Sequence, residues 1–187
     1  MTTILEIPEV RQRVSPLSVA EYHRLSEYNE RGRRTELIRG IIIQKMAKSP
    51  LHSYIAKRLH DLIAASLPKA LIVRREDPLT LADSEPEPDI AIIRRAESDY
   101  AAAHPGTAEL VIEVAVSSPE LDRENAALFA EAGVKEYWIA LGRERTVEVF
   151  SRLQRGRYLD KHVCTADETL RSKSVPSVRL TVASLFP

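Results

Sequence analysis

The chain has one cysteine, Cys164, in 187 residues. That excludes an intrachain disulfide and any zinc site built on a cysteine cluster. It suits a reducing, cytoplasmic setting. No apolar run is long enough to span a bilayer, and Glu6 and Glu9 stand where a signal peptide would need an apolar stretch. Neither sign of charge dominates, because 27 basic and 27 acidic residues cancel. A dedicated duplex-binding domain is usually basic, so neutrality argues against tight non-specific DNA binding while leaving room for a local basic face. Repeats and low-complexity tracts are absent. So are a Gly-rich phosphate loop, an HExxH helix and a serine in a nucleophile elbow.

What is present is an ordinary globular balance, 44% hydrophobic and 29% charged, long enough for one domain with a core. Residues 1–17 read as a loose arm and 18–187 as the domain. Ser18-Val-Ala-Glu21 is a capping box opening a helix with Val19, Tyr22 and Leu25 inward. Glu36 to Met46 reads as two strands around a tight turn at Arg39-Gly40. From His52, the apolar residues Ile55, Leu59, Leu62, Ile63 and Leu67 keep the helical period until Pro68. Short strands are expected near 71–75 and 79–81, then two stronger ones over 90–93 and 110–116. Pro119 can start a helix and Gly133 can end it. Residues 137–141 form a further buried strand, and 146–150 a hairpin partner for it. The tail from Cys164 reads as irregular, closing on Val182, Leu185 and Phe186. The sum is an α/β (α+β) domain, a mixed sheet flanked by helices.

Two acids stand out against this pattern. Asp89 sits at the mouth of PEPDIAII, with Ala91 and Ile93 on its face. Glu113 lies inside LVIEVAVSS, sharing a face with Val111 and Ala115 while Leu110, Ile112 and Val114 share the other. A carboxylate among apolar strand residues is costly unless a cation, a proton or donors satisfy it. On neighbouring strands the two could converge on one hard divalent cation, which takes oxygen ligands and keeps several waters. Such an ion polarises a phosphoryl oxygen and lowers the pKa of bound water. The plainer alternative is that Asp89 caps a turn and Glu113 pairs with an arginine. In the following helix Leu121, Asn125, Leu128 and Ala132 share one stripe. Asn125 is therefore a polar residue on a buried helix face, fit either to satisfy backbone groups or to reach the acids.

Taken in order, TELIRGIIIQKMAKSPLHS, PEPDIAII, ELVIEVAVSS, LDRENAALFAEAGVKEYWIAL and the closing Leu185-Phe186 resemble the Uma-type "putative restriction endonuclease" family. That family, formerly a domain of unknown function, falls within the PD-(D/E)XK nuclease superfamily. The resemblance runs from about Ser18 to the C-terminus. It implies a restriction-endonuclease-like core. It implies that Asp89 matches the PD aspartate and Glu113 the second acid, both holding Mg2+ or Mn2+ with the backbone carbonyl of Val114. Glu36 matches an early acidic position lining the same site. His52 matches a histidine at the start of the second helix, a position where a lone histidine more often serves as a helix-start donor than as a catalyst.

The chain departs from the family at the lysine. Ala115 stands where the superfamily lysine follows the second acid. Asn125 stands where this family's pattern moves that lysine onto the helix. A lysine there would orient the attacking water and stabilise charge on the phosphate, and asparagine supplies no charge. Arg123 points elsewhere on the helix, Lys135 could reach only if the turn after the helix folds back, and Lys45 and Lys48 near the second helix start are possible; none has the right register on sequence grounds alone.

Local basic clusters at Arg31, Arg33 and Arg34, at Arg94 and Arg95, and at Arg143, Arg145, Arg152, Arg155 and Arg157 read first as solvated faces. Some of them could track a nucleic-acid backbone. Tyr137 and Trp138 read as core, and Cys164 as an unactivated thiol. The expectation is a homodimeric, metal-dependent endonuclease acting on DNA, with catalytic residues Asp89, Glu113, Asn125 and Glu36. Two alternatives stand beside it: a homologue that binds nucleic acid or metal without efficient cleavage, and an interaction module whose acids are salt-bridged.

Overall fold

In a computed structural model of the chain, residues 7–25, 34–95 and 100–187 are described. The first six residues of the expected arm, and Arg31 and Arg33, lie outside them. Contacts divide the chain into two compact units, Met1–Lys45 with Ala82–Pro86, and Met46–Leu81 with Glu87–Pro187. Among the described residues no helix is long and apolar enough to cross a membrane.

The first unit holds helices α1 (Pro8–Arg11) and α2 (Val19–Arg24) and the antiparallel strands β1 (Thr35–Ile38) and β2 (Ile41–Gln44). The capping box forms as expected. Ser18 Oγ accepts from the Glu21 N–H at 3.2 Å, and Glu21 Oε2 accepts from the Ser18 N–H at 2.8 Å. The turn between the strands puts both Arg39 (φ 51°) and Gly40 (φ 73°) in the left-handed region, the requirement of a two-residue hairpin of this hand. Gly40 is needed for a second reason, since a Cβ there would come within 2.4 Å of Pro16 Cβ.

The second unit is built on a six-stranded sheet. Its strands are β3 (Leu71–Arg74), β4 (Ile90–Arg94), β5 (Leu110–Ala115), β6 (Glu136–Leu141), β7 (Thr146–Gln154) and β8 (Arg157–Cys164), lying in that order. Every neighbouring pair is antiparallel except β5 and β6. A parallel pair needs a long crossover, here through α4 (Glu120–Glu131). Helix α3 (Pro50–Ala64) lays Ile55, Ala56, Leu59 and Ile63 on the face made by Ile90, Ile92, Leu110, Ile112, Val114, Trp138 and Ala140. Helix α4 lies on the other face, where Phe129 stacks on Tyr137 with ring centroids 5.0 Å apart and the Tyr137 hydroxyl donates to the Asp122 carbonyl. This is the mixed, helix-flanked sheet that the alternation and periodicity imply. It carries Glu113 on the α4 side.

Two expectations fail. Residues 79–81 form no strand: Pro78 cannot donate to a ladder, and the Thr80 N–H donates to the Pro105 carbonyl while Leu79 and Leu81 are buried. The tail from Cys164 is not irregular throughout. Strands β9 (Thr169–Arg171) and β10 (Arg179–Thr181) pair antiparallel, and a 3-10 turn spans Val182–Leu185. Buried Glu136 anchors this part. Its Oε2 accepts from the Lys173 and Ser174 N–H groups at 2.9 and 3.1 Å and from the Ser172 hydroxyl at 2.7 Å, while its Oε1 accepts from Trp138 Nε1.

Candidate functional site

Sheet register assembles the acids. Ile90 pairs with Ile112 across β4 and β5, and Arg74 pairs with Ala91 across β3 and β4. Continued along the same strands, these registers set Asp89 opposite Glu113 and Glu76 opposite Asp89. Opposite residues of an antiparallel pair share a face and lie close together. The contacts bear this out: Asp89 N–H donates to Glu113 Oε2 at 3.0 Å, and Glu76 N–H donates to the Pro88 carbonyl at 3.1 Å. Glu76 holds a left-handed backbone, φ 57°, uncommon outside glycine.

Asp89 is 6% exposed, and four contacts surround it. Its Oδ2 accepts from the Val114 N–H and faces His52 Nε2, each at 2.9 Å; its Oδ1 accepts from Lys48 Nζ at 2.8 Å. Its own N–H is the one held by Glu113. Burial alone would raise this carboxyl, but the hydrogen bond and charge of His52 and then the charge of Lys48 outweigh it and hold it at about 2. Lys48 is shared, with Glu76 Oε1 at 3.1 Å. The same Glu76 oxygen lies 3.2 Å from Arg75 Nε. Thus a row of carboxylates crosses the sheet end with cationic side chains interleaved.

His52 sits in the first turn of α3, where Ser49 Oγ caps its N–H at 3.2 Å. The helix-start expectation therefore holds for its backbone, while its ring is drawn to Asp89. The ring Nδ1 is buried and has no hydrogen-bond partner.

Val114 meets Asp89 through its N–H. Asn125 is buried on α4, the helix covering Glu113's face of the sheet. The charge of Glu113 reaches that face, because burial first and then Glu113 and Asp122 push the Tyr137 hydroxyl well up. Glu36 lies on β1 in the first unit, where its Oε1 accepts from Lys45 Nζ at 2.7 Å. Arg123 binds Glu148 and Lys135 binds Glu109, both at 2.7 Å, so neither ammonium nor guanidinium is turned to Asp89. Lys48 is the substitute that reaches it. Arg94 also binds Glu109, and Arg152 binds Asp160. Tyr137 and Trp138 are fully buried, and burial raises the Cys164 thiol.

Sequence reasoning missed Glu76. Its signal was available only through pairing, since it follows a short strand by two residues and acquires its place from the β3–β4 register. Among the described residues no group of three or more His, Cys, Asp or Glu side chains is set to hold a metal ion. The oxygen donors on offer are thus two adjacent carboxylates and backbone carbonyls.

Residues 19–183 match the sequence model of Uma2, described as "Putative restriction endonuclease". The fold matches a crystal structure from Anabaena variabilis titled as a putative nuclease belonging to DUF820. That match has a TM-score of 0.76 and 23% identity over 91% of this chain and 97% of that one. No curated protein matches the chain.

Proposed function

This chain belongs to the Uma2 family, and from that premise we propose that it is a divalent-metal-dependent endonuclease hydrolysing DNA phosphodiester bonds. The observation that carries this reading is the joined pair Asp89 and Glu113 at the end of adjacent strands. The donor chemistry fits a hard cation. Both groups are carboxylates, and Asp89 Oδ1 already stabilises a positive charge, the Lys48 ammonium. Asp89, Glu113 and the Val114 carbonyl would hold Mg2+ or Mn2+. When bound, the ion supplies Lewis-acid polarisation of the phosphate and an acidified water.

The chain's own residues supply the rest. Val114 N–H and His52 fix the Asp89 carboxylate in one orientation, so little reorganisation is needed when it binds. Asp89 stays ionised across the physiological range because its neighbours hold it low. Glu113 is oriented by the Asp89 N–H, which locks the two acids to each other. Asn125, uncharged, can position a water or a phosphate oxygen but cannot offset developing charge.

That last point supports a second reading, a homologue that binds metal or nucleic acid without efficient cleavage. Nicking of supercoiled plasmid in Mg2+, Mn2+ or chelator separates the two, with wild type, Asp89→Ala and Asn125→Lys side by side. The endonuclease reading expects metal-dependent cutting by wild type and none by Asp89→Ala. Cutting by Asn125→Lys alone establishes the disarmed homologue. Cutting that survives Asp89→Ala contradicts both.

A further inference from the structure

We propose that Lys48, held by Glu76, is the catalytic cation of this site, the group that contacts the scissile phosphate. The inference rests on the endonuclease reading. Its basis is geometric. Lys48 Nζ lies 2.8 Å from Asp89 Oδ1 and 3.1 Å from Glu76 Oε1, so its ammonium bridges two carboxylates of the acidic row. Its side chain is 21% exposed, enough for water and a substrate oxygen to reach it.

Attack on a phosphodiester builds negative charge on the non-bridging oxygens and on the leaving oxygen. A positive group beside the acids stabilises that charge more than the starting ester, which is what accelerates the step. Lys135 and Arg123 are committed to Glu109 and Glu148. Arg75 Nε is buried and, although near Glu76, is not aligned for a hydrogen bond. Among the described cations weighed for this role, Lys48 joins reach, partial exposure and contact with Asp89.

Glu76 gives the ammonium a second anchor, 3.1 Å away, that would hold it beside the site if Asp89 Oδ1 were taken up by a metal ion. Glu76 is itself fixed by the bond from its N–H to the Pro88 carbonyl, next to Asp89 in the chain. Its left-handed backbone fits this role, because unusual backbone held by surrounding structure concentrates at functional sites. No proton need move through Lys48; it acts as a fixed charge.

The test compares wild type, Lys48→Met, Lys48→Arg and Glu76→Gln by plasmid cleavage kinetics in Mn2+ and, separately, by calorimetric Mn2+ titration. Lys48→Met should lower kcat by roughly 100-fold or more, the usual effect of losing one transition-state donor. It should bind Mn2+ as tightly as wild type or tighter, because a competing cation has gone. Lys48→Arg should recover part of the rate, and Glu76→Gln should fall between. If Lys48→Met misfolds by circular dichroism, Lys48→Arg and Glu76→Gln carry the comparison, and wild-type rates in both overturn the proposal. Wild-type kcat in Lys48→Met overturns it while leaving the endonuclease reading intact. A wild type that never cuts overturns both. Loss of Mn2+ binding together with cleavage in Lys48→Met would make Lys48 a support for the acids and also overturn it.

Discussion

At the residue scale the site centres on Asp89, an acid kept ionised inside a wall of apolar strands. Its folded value of about 2 lies below the ordinary 3.8. A depressed carboxyl contributes stability above its unfolded value and loses that contribution as pH falls through the folded one. The window is therefore about pH 4 down to 2, and the contribution is about 2 kcal/mol. Urea unfolding in chelator across that window should show wild type losing this increment. Asp89→Asn, less stable at neutral pH, should show a flatter profile, and parallel profiles would mean that Asp89 is not the source of the acid sensitivity. The two principal acids were legible in the sequence because alternation put Glu113 among strand apolars and Asp89 at a strand mouth. Lys48 was visible only as one substitute among several, and Glu76 not at all. Both come from segments outside the strands, and what joins them to Asp89 is sheet register, which a single sequence does not display.

At the element scale, local chemistry wrote most of the fold. The capping box at Ser18, the Arg39-Gly40 turn, the α3 period and the Gly133 stop at φ 79° all formed where propensity placed them. The all-buried β6 was plain for the same reason, as a short apolar run. Strand β8 was not, because it is an edge strand whose residues are largely exposed and polar. The β9–β10 pair was hidden too, because what holds it is Glu136, a residue distant in sequence. Replacing Glu136 by Ala leaves the Ser172, Lys173 and Ser174 donors and the Trp138 indole without this acceptor. At about 1–3 kcal/mol for a buried unsatisfied group, denaturant unfolding should show a loss of roughly 3 kcal/mol or more. Amide exchange should rise across 169–181. A loss within about 0.5 kcal/mol, the range of ordinary surface changes, would mean that Glu136 does not anchor the tail.

At the scale of the whole molecule the charges cancel, 27 against 27. Under the proposed function, attraction of a phosphodiester then rests on local charge, and in the acidic row Lys48 stands between the Asp89 and Glu76 carboxylates. The family and the fold follow from the full run of the sequence; the function turns on whether that row accepts a divalent ion. Calorimetric titration of Mn2+ into chelator-stripped protein tests this most directly. Wild type should bind one ion per chain, with Asp89→Asn and Glu113→Gln losing it while remaining folded. A wild type that takes up no Mn2+, or an Asp89→Asn protein that binds it as well as wild type, would contradict a metal site built on these two acids.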